Sequence, residues 1–402
     1  MLNASHNQTD ISYRTWQRDV AHVSGRTVAV ATKPGLFGYG RQDAASLLLT
    51  EHAMVSPGDV VAYLNCGNGL FGVHAATMGQ ASHVLLTDRN VVSAEAARRT
   101  LAMHDATNAT VLLQQGIADA LANGVANVVA IRLPHERLAQ LQLLHDAYGA
   151  LQVGGRCYIA GATNEGVKTA ARLLELRFGS SHVLSSGGGH RILVATKTHE
   201  ALLHDPVFDN PLFSPGQFNE VRTTLRDCAL TIFSRPGVFS SEHLDEATEL
   251  LANVMDVSIG ESVLDLGCGC GALGAVAGTL SVGARLCLVD ADIEAVRSAL
   301  KTLAAAGQPQ AQIVASDITN AVRDERFDVV VSNPPFHIGK ATALDVPIQF
   351  MREAHHVLNT GGRMMLVANR TLPYERAMTD IFGNVRVMHD GARFKVLAAS
   401  KT

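Results

Sequence analysis

The chain has 402 residues, of which 47% are apolar and 17% are charged, and its formal net charge is −4. This length and composition suit two domains with large buried cores and argue against a disordered chain. No apolar run approaches the roughly 18 residues of a membrane span, and the polar N-terminus lacks the apolar core of a signal peptide, so we expect a cytoplasmic protein without a membrane anchor. The six cysteines are scattered and form no CxxC pair, so we expect neither disulfides nor a bound metal.

One sequence plan occurs twice along the chain. Residues 26–197 correspond to residues 228–401 at an offset of about 202 positions. The corresponding segments are Lys33-Pro-Gly-Leu-Phe37 with Arg235-Pro-Gly-Val-Phe239, Val61–Gly72 with Val263–Gly274, Val84–Asp88 with Leu286–Asp290, Asn127–Ile131 with Asp328–Ser332, and His190–Lys197 with Arg393–Lys401. A duplicated plan predicts two domains of the same fold.

Short β-branched runs alternate with longer amphipathic stretches in each copy. In the second copy this pattern predicts helices near 242–255, 271–279, 291–306 and 345–358, and strands near 262–266, 285–290, 311–315, 327–332, 362–368, 384–388 and 393–399. Such alternation is typical of α/β folds, so we predict two tandem Rossmann-like domains, each a mostly parallel seven-stranded sheet flanked by helices. The expected boundaries are 1–199, a proline-containing connector at 200–225, and 226–402.

A glycine-rich loop follows the first strand of the second copy, in the segment Val263-Leu-Asp-Leu-Gly-Cys-Gly-Cys-Gly-Ala-Leu-Gly274. Glycines remove the β-carbons that would keep a cofactor away from the backbone. The spacing Gly269-x-Gly271-x-x-Gly274 also fits a dinucleotide fingerprint, so the loop alone leaves nicotinamide and flavin cofactors open.

Three acids in or just after the strands bear on the choice of cofactor, and two of them, Asp265 and Asp317, favour S-adenosylmethionine. Asp265 lies inside the strand just before Gly267, where a carboxylate suits an ammonium group but gains nothing from a pyrophosphate. Asp290 ends the second strand, where it suits the ribose hydroxyls of either cofactor class. Asp317 follows the third strand and is placed to accept from an adenine amine. The alternative is that Asp317 caps a helix that begins at Ile318.

The fourth strand ends at Asn333-Pro334-Pro335-Phe336. The side-chain carbonyl of Asn333 and the backbone carbonyl of Pro334 are two acceptors on a chain that the prolines stiffen. Held at a fixed spacing, they can grip both hydrogens of an exocyclic NH2, and Phe336 offers a face on which a base can stack. A dehydrogenase has no use for this tetrapeptide, so the motif predicts methylation of a planar amine.

With these motifs the second copy resembles the class I methyltransferases and, more narrowly, the ribosomal RNA guanine-N2 methyltransferases of the RsmC/RlmG type. The resemblance covers roughly residues 230–400 and rests on the glycine loop, the tetrapeptide, Pro236-Gly-Val-Phe-Ser240, Val367-Ala-Asn369 and Arg393-Phe394-Lys395. It implies methyl transfer from S-adenosylmethionine to the N2 amine of a guanosine, with ribosomal RNA or a ribosomal subunit as partner. The duplicated layout implies a degenerate first domain that supports the fold and helps to bind RNA.

The motifs and the resemblance together specify the expected site residues. The catalytic residues are Asn333, Pro334, Pro335 and Phe336. The residues expected to bind the cofactor are Asp245, Thr248, Asp265, Gly267, Cys268, Gly269, Gly271, Asp290, Ala291, Asp317, Ile318 and Asn333. No strong general base is expected, because the methyl donor is already activated. No metal is expected, because no further ligands stand out beside Cys268 and Cys270. A chain with an internal pair of domains has little need to dimerise, so we expect a monomer.

The first copy lacks the residues that this chemistry needs. The replacements are Tyr63 for Asp265, Asn65 for Gly267 and Arg132-Leu133-Pro134-His135 for the tetrapeptide. We therefore expect no catalysis in this copy. Two interpretations of Arg132 stay open, as an anion contact or as a surface arginine without a partner.

Charge is divided unevenly between the copies. Residues 1–198 carry 16 Lys and Arg against 13 Asp and Glu, whereas residues 199–402 carry 17 against 24. A polyanion would therefore favour the first half, unless the difference is an ordinary fluctuation between two domains.

Two other functions fit part of the pattern. The same chemistry on protein glutamine or DNA adenine fits the tetrapeptide, although those families more often carry Tyr at the place of Phe336 and are not usually duplicated. A non-catalytic RNA-binding assembly factor with a residual cofactor site is the other alternative. The intact Asp265 and Asn333 argue against it.

Overall fold

The computed structural model describes residues 13–23, 25–117, 120–199, 206–239, 243–335 and 345–402. Phe336, the last residue of the tetrapeptide, lies outside the described residues, so its assigned role stays a prediction. Within the described ranges, no helix is both long and apolar enough to cross a membrane.

The first half begins with an antiparallel hairpin of β1 (Gln17–Val23) and β2 (Arg26–Thr32). A seven-stranded sheet follows, with the order β5-β4-β3-β6-β7-β9-β8 and with β9 antiparallel to both of its neighbours. Its elements are α1 (Ala44–His52), β3 (Val60–Leu64), α2 (Leu70–Thr77), β4 (His83–Asp88), α3 (Val91–Ala102), β5 (Ala109–Leu113), β6 (Ala126–Arg132), α4 (Arg137–Ala150), β7 (Leu151–Ala162), α5 (Val167–Phe178), β8 (His182–Gly187) and β9 (His190–Thr196).

The second half repeats this plan. Its hairpin is formed by β10 (Asn219–Leu225) and β11 (Cys228–Ser234), and its sheet has the order β14-β13-β12-β15-β16-β18-β17. The elements of this sheet are α6 (Glu246–Val254), β12 (Val263–Leu266), α7 (Ala272–Leu280), β13 (Leu286–Asp290), α8 (Ile293–Ala305), β14 (Gln312–Ala315), β15 (Phe327–Ser332), α9 (Asp345–Val357), β16 (Leu358–Asn369), α10 (Tyr374–Phe382), β17 (Arg386–Asp390) and β18 (Phe394–Ser400).

The central strands are buried on both faces, which explains their continuous apolar sequences. Along β12, Val263 packs into one hydrophobic core and Leu264 into the core on the opposite face. Val61 and Ala62 of β3 divide in the same way. This arrangement confirms the predicted fold class, and all seven strands predicted for the second copy are present in its sheet.

The structure differs from the sequence prediction at the connector. Asn219–Leu225, which composition placed in the connector, form β10 and pair along their whole length with β11. Most side chains of β10 are polar, and only Leu225 is fully buried, because the hairpin covers a single face of the strand. The sequence of β10 therefore lacks the apolar run by which the other strands were predicted. We propose that the connector ends before Asn219.

The two halves contact each other next to the second sheet. Arg89, just after β4, donates from two nitrogens to the carboxylate of Asp292 and from a third to the carbonyl oxygen of Pro236 (3.0 Å). Gly237 has a φ of +80°, and a β-carbon there would lie 2.2 Å from Arg89 Nη1. Glycine at this position therefore permits the close approach of the halves.

Candidate active site

A cavity of about 550 Å3 opens at the carboxyl ends of β12, β13 and β15. The strand order reverses between β12 and β15, which is where parallel α/β sheets leave a crevice for ligands. The second half contributes the glycine loop and the strand ends. The first half contributes Tyr13, Gly35, Asn90, Val92 and Glu136. The site therefore belongs to both halves, and its volume is typical of small-molecule sites.

The glycine loop forms one wall of this cavity. Gly267, Gly269 and Gly271 have φ values of +76°, +53° and +83°, a region that side chains disfavour. The N–H groups of Gly267 and Cys268 donate to the carbonyl oxygen of Val289 at 2.9 and 3.0 Å. A β-carbon on Gly269 would meet no atom within 4 Å. β-Carbons on Gly267 and Gly271 would instead lie 3.1 Å from the Phe350 ring and 2.8 Å from Leu303. The loop is thus tied to β13, and its backbone faces open space at Gly269.

Asp265 is fully buried near the end of β12. Its Oδ2 accepts from the N–H of Gly274 at 2.8 Å, whereas Oδ1 has no hydrogen-bond donor among the described residues. Burial raises the pKa of Asp265 to about 7, and the carboxylate of Asp290 adds to the rise. A buried carboxylate oxygen without a donor is costly. A cationic ligand would satisfy it, so the residues present fit the ammonium group expected from the sequence.

Asp290 ends β13 and holds the loop in place. Its Oδ2 accepts from the N–H of Gly269 and its Oδ1 from the N–H of Asp292, both at 2.9 Å. Burial is the main reason that the pKa of Asp290 is raised to about 6. Each oxygen can accept a second hydrogen bond, which keeps both available for hydroxyl groups. Next to it, the carbonyl oxygen of Ala291 accepts from the N–H of Val91 in the first half at 2.8 Å.

Asp317 lies at the edge of the cavity that faces the first half. Its Oδ1 accepts from the hydroxyl of Tyr13 at 3.0 Å, and its Oδ2 forms an ion pair with Lys33. The alternative that Asp317 caps a helix is wrong, because the next helical turn begins after Thr319 and Asp317 points to the other half. Ile318 is buried and has a φ of +53°. Lys33 itself is only 1% exposed.

Asn333 follows β15 and has a fixed side-chain orientation. Its Nδ2 donates to Asp245 Oδ2 at 3.0 Å and to Thr248 Oγ1 at 2.9 Å. Since a carboxylate can only accept, the amide nitrogen must face Asp245 and the amide oxygen must point away. That oxygen is buried and meets no donor in the part of the chain that the structure describes. Pro334 and Pro335 line the same cavity.

Two of the predicted residues, Gly271 and the fully buried Asp265, do not line this cavity. The remaining predicted residues that do line it are Asp245, Thr248, Gly267, Cys268, Gly269, Ala291 and Ile318. Asp245 is the N-cap of α6 and accepts from the N–H of Thr248 at 2.9 Å. Cys268 and Cys270 are buried in the loop, and burial raises the pKa of both thiols, to about 11 for Cys270. The described residues contain no group of three His, Cys, Asp or Glu that could hold a metal ion.

The corresponding place in the first half is filled by its own side chains. Arg132 is 6% exposed, and its Nη2 pairs with Asp43 at 3.3 Å and with Glu165 at 2.6 Å. Tyr63, fully buried, occupies the position of Asp265. A cavity of only about 10 Å3 remains there. The interpretation of Arg132 as a surface arginine without a partner is therefore wrong, and the anions that it contacts are carboxylates of its own half.

Sequence reasoning missed the residues of the first half that reach the site. Tyr13 and Arg89 belong to no motif, and Lys33 belongs only to the repeated segment Lys33-Pro-Gly-Leu-Phe37. The only available signal was that Lys33 corresponds to Arg235, a second cation at the same position. Arg235 pairs with Glu294 in its own half at 3.0 Å, so the correspondence gives no hint that Lys33 crosses to the other half.

Comparison with known proteins supports this picture. The family described as "Methyltransferase small domain" matches residues 27–194 and again residues 229–398. The ribosomal RNA small subunit methyltransferase C of Cronobacter sakazakii is 34% identical over 262 residues, which are 65% of this chain and 71% of that protein. The protein of the same name from Haemophilus influenzae is 40% identical over 197 residues, 48% of this chain and 58% of that protein.

A solved structure matches both halves. It is the 16S rRNA N2 G1207 methyltransferase (RsmC) of T. thermophilus in complex with AdoMet and guanosine, with a TM-score of 0.79 and 30% identity. The match covers 96% of this chain and 98% of that chain. The chain therefore belongs to the methyltransferase small-domain family, within the group of the ribosomal RNA small subunit methyltransferases C, and carries the domain twice.

Proposed function

We propose that this enzyme transfers a methyl group from S-adenosylmethionine to the exocyclic N2 amine of a guanosine in small-subunit ribosomal RNA. The observation that carries the proposal is a pair of buried acceptors at the carboxyl edge of the second sheet, neither of which has a donor among the described residues. Asn333, which carries one of them on Oδ1, lines the cavity, and Asp265, which carries the other on Oδ1, lies two residues before Gly267 of the cavity wall. The first suits an ammonium group and the second suits an amine. The substrate class follows from the relatives that match both halves.

The second half supplies the groups that would hold the cofactor. The cofactor itself supplies a methyl group already activated on a sulfonium. Asp265 would pair with its ammonium end, Asp290 would accept from its ribose hydroxyls, and Asp317 would accept from its adenine amine. The loop backbone at Gly267, Cys268 and Gly269 would lie against it, and Gly271 would keep the shape of the loop by packing closely against α8. Asp245, Thr248, Ala291 and Ile318 would complete the enclosure.

Asn333 and Pro334 would act on the target amine. The lone pair of this amine is delocalised into the guanine ring, which makes it a poor nucleophile. Acceptors at Asn333 Oδ1 and the carbonyl of Pro334 would hold both N–H groups and favour the pyramidal geometry in which the lone pair is free. They would also stabilise the positive charge that develops on the nitrogen, while being fixed before the reaction begins.

The product identifies the reaction. Labelled S-adenosylmethionine is offered to small subunits, large subunits and naked ribosomal RNA, and the RNA is digested to nucleosides. We expect labelled N2-methylguanosine from RNA of the small subunit. Label in protein would indicate a glutamine methyltransferase, label in 6-methyladenosine an adenine methyltransferase, and no label an assembly factor. Each of these three results would overturn the proposal.

Cofactor binding should weaken as the pH falls through about 7. Asp265 must be ionised to pair with an ammonium group, and burial raises its pKa to about 7 in the free protein. Below that pH the affinity should fall by up to about tenfold per pH unit. Calorimetry with S-adenosylhomocysteine from about pH 5.5 to about pH 8.5 measures this. Asp265→Asn should bind weakly and lose the dependence near pH 7. A wild-type Kd that is constant across this range would contradict the role of Asp265.

The first half should contribute to cofactor affinity through Lys33. Replacing Lys33 by Met leaves the partly buried carboxylate of Asp317 without its counter-charge, and we expect a rise of about tenfold in the Kd of S-adenosylhomocysteine. A double-mutant cycle with Asp317→Asn measures the coupling. The two changes should be less than additive. Equal Kd values for Lys33→Met and the wild type would show that this ion pair serves only to join the halves.

Two further expectations follow from the proposed substrate. Ribosomal RNA is made and assembled in the bacterial cytoplasm, so the proposed location is the cytoplasm. The monomeric state stays a prediction, which light scattering on the purified protein tests directly. A stable dimer would contradict it.

A further inference from the structure

The first half holds a planar guanidinium where the second half has its cavity. Arg132 occupies the sequence position of Asn333, and its Nη1 donates to the carbonyl oxygen of Leu133 at 2.5 Å. Leu133 corresponds to Pro334, whose carbonyl is one of the two acceptors proposed for the target amine. The guanidinium thus already uses the acceptor that the second half offers to its substrate.

The N-caps of the two halves support the same correspondence. In the first half, Arg132 Nε lies 3.3 Å from the carboxylate of Asp43, the N-cap of α1. In the second half, Asn333 Nδ2 contacts Asp245, the N-cap of α6, in the same way. The two sites therefore have the same contact between the N-cap aspartate and the residue at the end of the fourth parallel strand. The longer side chain of Arg132 places its guanidinium in the space that corresponds to the open cavity beside Asn333.

An aromatic ring covers this guanidinium. The centre of the Phe37 ring lies 4.1 Å from the central carbon of the Arg132 guanidinium. Phe37 ends the Pro-Gly-x-Phe segment after β2 and corresponds to Phe239 after β11. Phe239 lines the cavity and is 62% exposed, against 48% for Phe37. The second half therefore presents the same ring with its stacking face uncovered.

Guanine resembles this guanidinium in shape but not in charge. The N1, C2, N2 and N3 atoms of guanine form a planar guanidine unit with N–H donors along one edge. The first half neutralises its cation with Asp43 and Glu165. The second half has Leu372 three residues after its strand β16, where the first half has Glu165 after β7. The second half keeps Asp245, whose carboxylate already accepts from Asn333 Nδ2, but it lacks the second carboxylate. The remaining pocket therefore suits a neutral planar group better than a cation.

We infer that Phe239 stacks on the target guanine in the second half, in the arrangement that Phe37 and the Arg132 guanidinium show in the first half. This inference rests on the proposed function, because it assigns a contact to the same guanosine. Stacking would fix the plane of the base, so that its N2 amine meets Asn333 Oδ1 and the carbonyl of Pro334. Stacking of a base on an aromatic ring is a strong and sequence-tolerant contact.

Two substitutions separate stacking from simple packing. Phe239→Leu keeps an apolar side chain but removes the aromatic face, and it should raise the KM for small ribosomal subunits about tenfold or more. Phe239→Tyr keeps the face and should stay within about twofold of the wild type. The Kd of S-adenosylhomocysteine and the melting temperature should be unchanged in both variants, since the ring is exposed. The matched variant Phe37→Leu, in the filled site, should leave KM unchanged.

A fluorescence measurement tests the contact without turnover. Trp16 is the only tryptophan of the chain, so a Trp16→Phe, Phe239→Trp protein has a single reporter at the stacking position. Guanosine added in the presence of S-adenosylhomocysteine should quench this fluorescence. A wild-type KM in Phe239→Leu, a parallel loss of cofactor affinity, or fluorescence unchanged by guanosine would overturn the inference. Failure of the wild type to form N2-methylguanosine would instead contradict the proposed function.

Discussion

Replacing Asn333 by Ala should lower kcat about 100- to 1000-fold, the range found when a fixed polar group is removed from a transition state. The substitution deletes the amide oxygen that has no donor among the described residues. It leaves Asp265 and Asp290 in place, so the Kd of S-adenosylhomocysteine should remain within about twofold of the wild-type value. Single-turnover methylation of small subunits, together with calorimetry, measures both quantities.

Two neighbouring substitutions test the orientation of Asn333. Thr248→Val removes one of the two acceptors that hold Nδ2 but leaves Asp245, so we expect a loss in kcat much smaller than that of Asn333→Ala. Asn333→Asp keeps an acceptor oxygen but places a second carboxylate beside Asp245. The two carboxylates can share a proton at low pH and repel each other once it is lost. This variant should therefore be more active at low pH than at high pH.

The outcomes distinguish a catalytic role from a structural one. A decrease in kcat with unchanged cofactor affinity is the signature of a group that acts in the transition state. If Asn333→Ala retained wild-type kcat, the amide oxygen would have no part in the reaction. If it lost cofactor affinity in proportion to kcat, Asn333 would serve only to shape the cofactor site.

The fold and the second-half site could be predicted because both depend on local sequence. Strands such as β12 are buried on both faces and read as apolar runs, and parallel strands bring their carboxyl ends to one edge of the sheet. Residues at the ends of different strands, such as Asp290 and Asn333, must then meet there. The glycine loop specifies a backbone shape, and the tetrapeptide specifies a pair of acceptors. Both features are encoded within a few consecutive residues.

The contacts between the halves could not be predicted, because they depend on how two domains dock. Lys33 and Tyr13 lie more than 280 positions from their partner Asp317 in sequence, and no periodic pattern links them. The burial of Arg132 was missed for a related reason. An arginine in place of the amine-binding Asn suggested a surface group, whereas Asp43 and Glu165 together make a buried position tolerable.

Replacing Arg132 by Met should destabilise the first half by about 3–5 kcal/mol. The methionine fills part of the volume but leaves two buried carboxylates, Asp43 and Glu165, without the cation between them. Urea unfolding at neutral pH measures the loss. The matched control is Arg98→Met, which removes a half-exposed arginine paired with Glu95 in the same half and should change the free energy of unfolding by less than about 1 kcal/mol.

The loss should depend on pH in a defined direction. Burial by itself would raise the pKa of Asp43, but the guanidinium of Arg132 and hydrogen bonds from Ser46 hold it below its ordinary value. In the wild type this stabilisation is present above the unfolded pKa of about 3.9 and is lost only as the pH falls through the lowered folded value. In Arg132→Met the pKa of Asp43 should rise, so the folded variant takes up a proton as the pH falls. The difference in stability should therefore be largest near neutral pH and smaller near pH 5.

The same variant decides what Arg132 does in the complete enzyme. If its role is to fill and neutralise the first site, folded Arg132→Met protein should methylate small subunits with wild-type KM at a temperature well below its melting point. If the arginine instead contacted RNA, KM would rise while the free energy of unfolding stayed near the wild-type value. The two results exclude each other, because a guanidinium held between Asp43 and Glu165 under Phe37 cannot also reach a phosphate outside.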